Sequence, residues 1–128
     1  MSWLLDTHTF LWAASDDPAL STLARSAILD PANELLLSLA SIWEIAIKQS
    51  LGKLQLGGSV QQLVDQGVAR LGLVLLAVKL EHCQVVSQMP FVHKDPFDRL
   101  LVSQARIERL GILSCDRIFD DYGIPRVW

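Results

Sequence analysis

Four acidic side chains lie at or near the ends of apolar segments. Asp6 closes "WLLD", Glu44 sits in "SIWEIAIK", Asp98 follows "HKDPF", and Asp116 follows "GILSC". Carboxylates gathered at one place repel and raise one another's pKa values. A divalent cation removes that conflict, and a ligand set made only of oxygen points to Mg²⁺ or Mn²⁺ over zinc. Each acid also has an ordinary explanation. Glu44 precedes Lys48 by four residues, the spacing of a helix-surface ion pair. Asp98 is favourable against a helix dipole, and Asp95 is an adequate cap whatever else it does. Asp116 could start a turn, a role also expected of the Asp120-Asp121 doublet. Asp6 is the hardest to explain away, because a buried strand rarely ends "LLD" without a use for the charge.

Whether the four meet depends on the elements that carry them. "WLLD" (3–6), "ELLLS" (34–38), "LVLLA" (73–77) and "GILS" (111–114) read as short buried strands, and "RVW" (126–128) as a fifth. Between them run helical segments. "THTFLWAAS" follows Asp6 and is closed by "DDP". Ser21 caps "TLARSAILD", ahead of a Pro31-Ala32-Asn33 turn. Ser38 or Ser41 opens "IWEIAIKQSL", which presents Ile42, Ile45, Ala46 and Gln49 on one face and stops at Gly52. Ser59 begins "VQQLVDQGVARLG", despite its internal Gly67. A further helix spans Val78 to Gln88. After the loop "MPFVHKD", Asp95 as N-cap and Pro96 at the first helical position start a helix to about Leu110. Strands this short and apolar, alternating with helices, imply a parallel sheet covered on both faces. Ligands in such folds sit beyond the carboxyl ends of the strands, where the strand order reverses. Asp6 and Asp116 end strands, while Glu44 and Asp98 lie within a turn or so of helix starts, so all four project toward one edge.

The totals narrow the function further. At 128 residues one domain spanning 1–128 is expected. The hydrophobic share is 51% and the mean hydropathy +0.32, yet no apolar run approaches the ~18 residues of a membrane span. "MSWLLDTHTF" has no basic opening and meets an acid at position 6, so it does not read as a signal peptide. A dense core or a permanent protein contact, involving Trp3, Trp12, Trp43 or Trp128, would use the surplus apolar surface. Cys83 and Cys115 are far apart and in no C-x-x-C pattern, and read as reduced, core-type thiols of a cytoplasmic protein. A net charge of −3 argues against direct DNA recognition through a strong basic field. It does not argue against transient handling of nucleic acid, since acids grouped at a metal site lower the total.

"LLDTHTFLW", "SLASIWEIAIKQSLGKL", "HKDPFDRLLVSQA" and "LSCDRIFDDYGIPRVW" together resemble the PIN domains, metal-dependent ribonucleases that include the toxins of VapBC-type toxin–antitoxin pairs. The resemblance runs over essentially the whole chain. It implies a three-layer α/β/α sandwich with a central parallel sheet and a family acid set falling on Asp6, Glu44, Asp98 and Asp116. Asp6 and Asp98 would be direct ligands of Mg²⁺ or Mn²⁺, with Asp116 and Glu44 completing the site directly or through water. Thr7 looks like the family's small hydroxyl residue that orients the site. Asp95 reads mainly as the N-cap, and Arg99 as a partner for a carboxylate or a phosphate. The family usually has a hydroxyl residue directly before the fourth acid; here Cys115 stands there, with Ser114 one position earlier.

The implied activity is hydrolysis of RNA phosphodiester bonds by in-line attack of water, which assigns no catalytic role to His8, His82 or His93. Lys48, Lys53, Lys94 and Arg99 are candidates to steer RNA toward the acids, against ordinary solvated charge. An antitoxin partner and a homodimer are expected from the resemblance, with the apolar helices before residue 60 as the contact. Two rivals remain. A phosphatase using Asp6 as nucleophile would want a second Asp at position 8, where His8 stands. A binding module that has lost catalysis would have little reason to retain all four acids.

Overall fold

In the computed structural model, which describes residues 1–128, five strands form one sheet. They are β1 (Ser2–Leu5), β2 (Glu34–Ser38), β3 (Val74–Leu76), β4 (Gly111–Leu113) and β5 (Arg126–Val127). Their spatial order is β3-β2-β1-β4-β5, and every neighbouring pair is parallel. The chain therefore builds outward from β1 to β3, returns across β1, and builds outward again through β4. The reversal lies between β1 and β4, which opens a crevice past the carboxyl ends of those two strands.

Seven helices cover the sheet: α1 (Thr7–Ser15), α2 (Thr22–Leu29), α3 (Leu39–Ser50), α4 (Val60–Leu71), α5 (Leu80–Gln88), α6 (Pro96–Glu108) and α7 (Ile118–Asp121). Side chains of successive strand residues point to opposite faces, and the core divides accordingly. Leu4, Leu36 and Ile112 pack on one face with Leu101, Val102 and Ala105 of α6 and Phe119 of α7. Leu5, Leu35, Leu37 and Leu113 pack on the other with Phe10 of α1 and Ile45 of α3. This is the expected three-layer α/β/α sandwich.

Several boundaries differ from the sequence reading for physical reasons. Ser38 is the cap of α3, its hydroxyl accepting from the Ala40 amide at 3.0 Å. Ser41 is instead buried inside the helix. α6 stops at Glu108, because Arg109 takes a left-handed conformation (φ 57°). β3 is an edge strand, so Val74 and Leu75 are exposed and not covered on both faces. Asp120 and Asp121 belong to the short helix α7, not to a turn. Neither cysteine is a core thiol, since both are exposed. The odd Gly67 in α4 has a packing reason: a Cβ there would lie 2.7 Å from a ring carbon of the fully buried Phe10. None of the helices is long and apolar enough to cross a membrane.

Candidate active site

Asp6 leaves β1 as the N-cap of α1, so a single residue both ends the strand and starts the helix. Its Oδ1 accepts from the Thr7 amide at 2.8 Å. Its Oδ2 accepts from the Ser114 hydroxyl at 2.7 Å, and Ser114 is the residue directly after β4. The switch point is thus closed by a hydrogen bond between the two strand ends. The Ser114 hydroxyl also accepts from the Asp116 amide at 3.0 Å, which holds the next acid in the same corner.

Glu44 reaches the corner from the second turn of α3. Its Oε1 accepts from the Thr7 hydroxyl at 2.7 Å, and its Oε2 pairs with Lys48 Nζ at 3.0 Å. Helix α6 brings the third element. Asp95 caps it, with Oδ1 accepting from the Phe97 and Asp98 amides at 2.8 and 3.3 Å. That capping directs the first turn of α6 at the corner, and Asp98 lies on it. Asp98 Oδ2 is 3.1 Å from His93 Nε2.

Asp6, Glu44, Asp95, Asp98 and Asp116 line one cavity of about 400 Å³, together with His8, Trp12, Lys48 and Cys115. Burial raises the Asp6 carboxyl above its ordinary value, and the Ser114 and Thr7 hydrogen bonds pull it partly back. Asp98 is pushed up to about 7, first by burial, then by the charges of Asp6 and Asp95, with Asp116 adding to them. The hydrogen bond with His93 opposes the rise. Five acids with a single lysine among the lining residues make an electrostatic deficit that a cation would relieve. The acids offer hard oxygen donors, and at the cavity edge the ligand atoms of Asp95, Asp98 and the imidazole of His93 lie within 4.8 Å of one another. Asp6, Glu44 and Asp116 line the same cavity, and the Asp6 charge acts on Asp98 more strongly than that of Asp95. Oxygen donors of this kind suit a hard cation such as Mg²⁺. The residues therefore fit a divalent ion.

A model of the PIN domain family matches residues 3–125. The chain belongs to the PIN domain family. No curated protein matches it significantly. Among solved structures, it is similar to VapBC2 from Rickettsia felis bound to a promoter DNA fragment, at 15% identity and a TM-score of 0.75, covering 99% of this chain and 98% of that one. It is also similar to Mycobacterium tuberculosis VapC20, described as a sarcin-ricin loop cleaving toxin, at 14% identity, TM-score 0.66 and the same coverages. A third is FitAcB from Neisseria gonorrhoeae, at 14% identity and TM-score 0.64, covering 100% and 97%. At such identities the likeness is one of fold.

Against this PIN domain frame, the supporting residues separate into two groups. Thr7, Asp95 and Ser114 touch the acids. Arg99 does not. Its guanidinium is buried and donates to the carbonyls of Pro90, Val86 and Met89 and to the Tyr122 hydroxyl. It lies 4.4 Å from the centre of the Phe91 ring. Arg99 thus ties the segment after α5 down onto α6, where backbone carbonyls take the place of the carboxylate or phosphate expected of it. Of the proposed steering lysines, Lys48 lines the acidic cavity, Lys53 lines a neighbouring groove, and Lys94 is exposed and lines neither. His93, to which the sequence reading assigned no catalytic role, is in contact with one of the acids. Its contact with Asp98 depends on how the loop folds back, which no spacing reveals. His8 and Trp12 were legible in principle, as an i, i+4 pair on the helix that Asp6 caps.

Proposed function

We propose that this PIN domain is a metal-dependent endoribonuclease and the toxin of a toxin–antitoxin pair. The observation that carries the reading is the convergence of Asp6, Glu44, Asp98 and Asp116, from four distant segments, on one cavity at the switch point of the sheet. Asp6, Asp98 and Asp116 would hold Mg²⁺ or Mn²⁺, with Glu44 completing the set directly or through water. Such an ion, when bound, lowers the pKa of a coordinated water and offsets the charge of a phosphodiester.

The chain's own residues supply position. Ser114 and the Thr7 amide each occupy one acceptor site of Asp6, so both of its oxygens keep a lone pair free. The Thr7 hydroxyl fixes the Glu44 carboxylate, and Lys48 neutralises part of its charge. Asp95 holds the start of α6 while Asp98 faces the cavity, so capping and ligation divide between two acids three residues apart. At about 7, the Asp98 carboxyl changes charge near neutrality. Partial desolvation and the Asp6 charge raise the Cys115 thiol, which disfavours its thiolate.

The antitoxin partner is proposed from the VapBC and FitAB complexes among the similar structures. Self-association as a homodimer is part of the same reading. The exposed Trp43, packed edge-on against the half-buried Phe97 with ring centres 5.6 Å apart, precedes Glu44 in α3 as Phe97 precedes Asp98 in α6, and supplies an apolar contact for it. An RNA substrate in turn implies a cytoplasmic location.

The test is direct. Purified protein, freed of any partner, is given structured and single-stranded RNA with Mn²⁺ or Mg²⁺ and then with chelator. Cleavage that disappears with chelator and in Asp6→Asn is the expected result. RNA binding without turnover in either metal would make the domain a binding module. Phosphate release from small monoesters, with covalent label on Asp6, would make it a phosphatase.

A further inference from the structure

A second cavity, of about 640 Å³, adjoins the acidic one and shares His8, Trp12 and Lys48 with it. Where most residues lining the acidic cavity are charged, this groove has a leucine-rich lining and a different rim. The groove runs between α1, the segment following α3 and the start of α4, and carries Lys53, Gln55 and Gln66. Its shared wall is aromatic. His8 and Trp12 lie with ring centres 5.6 Å apart, and Trp128, beyond β5, stands 5.7 Å from Trp12. Trp12 is thus half-buried and packed against two other rings.

Resting on the nuclease reading above, we propose that this groove is a nucleobase subsite. It would take the base of the nucleotide next to the scissile phosphate in single-stranded RNA, stacked on Trp12. Three features favour this occupant. The groove continues from the place where a phosphodiester would sit, so a strand crossing the acids passes directly into it. Its wall is an aromatic surface, on which any base stacks regardless of sequence. Its cations match a backbone and not a base: Lys48 stands at the junction, and Lys53 is exposed further along, where the following phosphate would run. The carboxamides of Gln55 and Gln66 make no hydrogen bond to other side chains and offer both donors and acceptors to a base edge. Trp12 is then a positioning residue that holds any base, with no part in bond cleavage.

The experiment combines Trp12→Ala, Trp12→Phe and Lys53→Ala with RNA oligonucleotides that are abasic at one position at a time around the cleaved bond. Trp12→Ala is expected to raise KM about tenfold with kcat changed less than about threefold, and Trp12→Phe to restore most of the loss. One abasic position next to the scissile bond should weaken the wild type to the same extent and make Trp12→Ala silent. Lys53→Ala, on an exposed residue with no fold to disturb, should raise KM a few-fold and flatten its salt dependence. Unchanged KM in Trp12→Ala, or a penalty independent of every abasic position, overturns the proposal. A peptide that fills the groove, with Trp12→Ala and Lys53→Ala both neutral on RNA, would assign the groove to a protein partner and also overturn it. A separate titration in chelator, reading RNA-dependent quenching that Trp12→Phe abolishes, tests the subsite without turnover. A protein that cleaves nothing but shows that quenching would sink the nuclease reading and leave the subsite standing.

Discussion

Asp98→Asn separates the electrostatic account of the site from a purely structural one. In the metal-free protein the Asp98 carboxyl titrates at about 7, against an ordinary 3.8. An acid whose pKa is raised by folding stabilises the fold while protonated. That contribution is complete below about pH 4 and is lost as pH climbs toward 7. Each unit corresponds to about 1.4 kcal/mol, so the full shift sets a ceiling of about 4 kcal/mol. The side chain is 16% exposed at the rim of a wet cavity, and screening there brings the usable figure to about 2 kcal/mol. Asn is neutral at every pH and can still accept from His93. In chelator at pH 8, Asp98→Asn should therefore be about 2 kcal/mol more stable than wild type, or several degrees in Tm for a chain of this length. The advantage should shrink toward zero by about pH 4. Saturating Mn²⁺ should reverse the order, because a ligand at a hundred times its Kd adds about 2.7 kcal/mol to wild type alone. Urea melts at pH 8 and pH 4.5, with chelator and with Mn²⁺, read all of this. Equal stability of the two proteins in chelator at pH 8, or equal stabilisation of both by Mn²⁺, would refute the reasoning.

Four further outcomes follow from individual residues. Ser114→Ala removes the hydroxyl between Asp6 and the Asp116 amide; it should cost about 1–2 kcal/mol and weaken Mn²⁺ binding on the order of tenfold, read by melts and metal titration. Cys115→Ala should leave turnover within about threefold, measured on the same RNA, because Ser114 and not Cys115 bonds Asp6. Arg99→Met removes the guanidinium donor from the carbonyls of Val86, Met89 and Pro90, of which Val86 keeps the Met89 amide, and should cost about 3 kcal/mol, and Arg99→Lys, with one compact ammonium, should recover less than half in thermal melts. Gly67→Ala should destabilise by about 1–2 kcal/mol, although alanine gains about 1 kcal/mol in helix propensity, because the new methyl meets the buried Phe10 ring; a stabilised variant would show that the ring can yield.

Much of the architecture was readable because it rests on local rules. Strand runs too apolar to face water on either side, serine and aspartate caps, and the Asp95-Pro96 start are decided by neighbouring residues, and β1, β2, α1 and α6 fall within a residue or two of where the sequence places them. The same rules put Asp6 and Asp116 at strand ends and Asp98 in a first turn. β3 escaped because edge position is a property of strand order: "LVLLA" looks like any central strand, and only the sheet leaves Val74 and Leu75 in water.

The chemistry of individual side chains was settled at longer range. Arg99 sits in a motif full of acids, yet its fork goes to carbonyls at and after the end of α5, because α5 packs on α6 and brings those acceptors within its reach. Ser114, not the residue beside the fourth acid, supplies the hydroxyl, since the register of β1 against β4 sets it opposite Asp6. Local sequence thus determined which elements form and which end of each carries charge. Tertiary structure alone decided which charges share a cavity, because distances between segments a hundred residues apart depend on strand order and register.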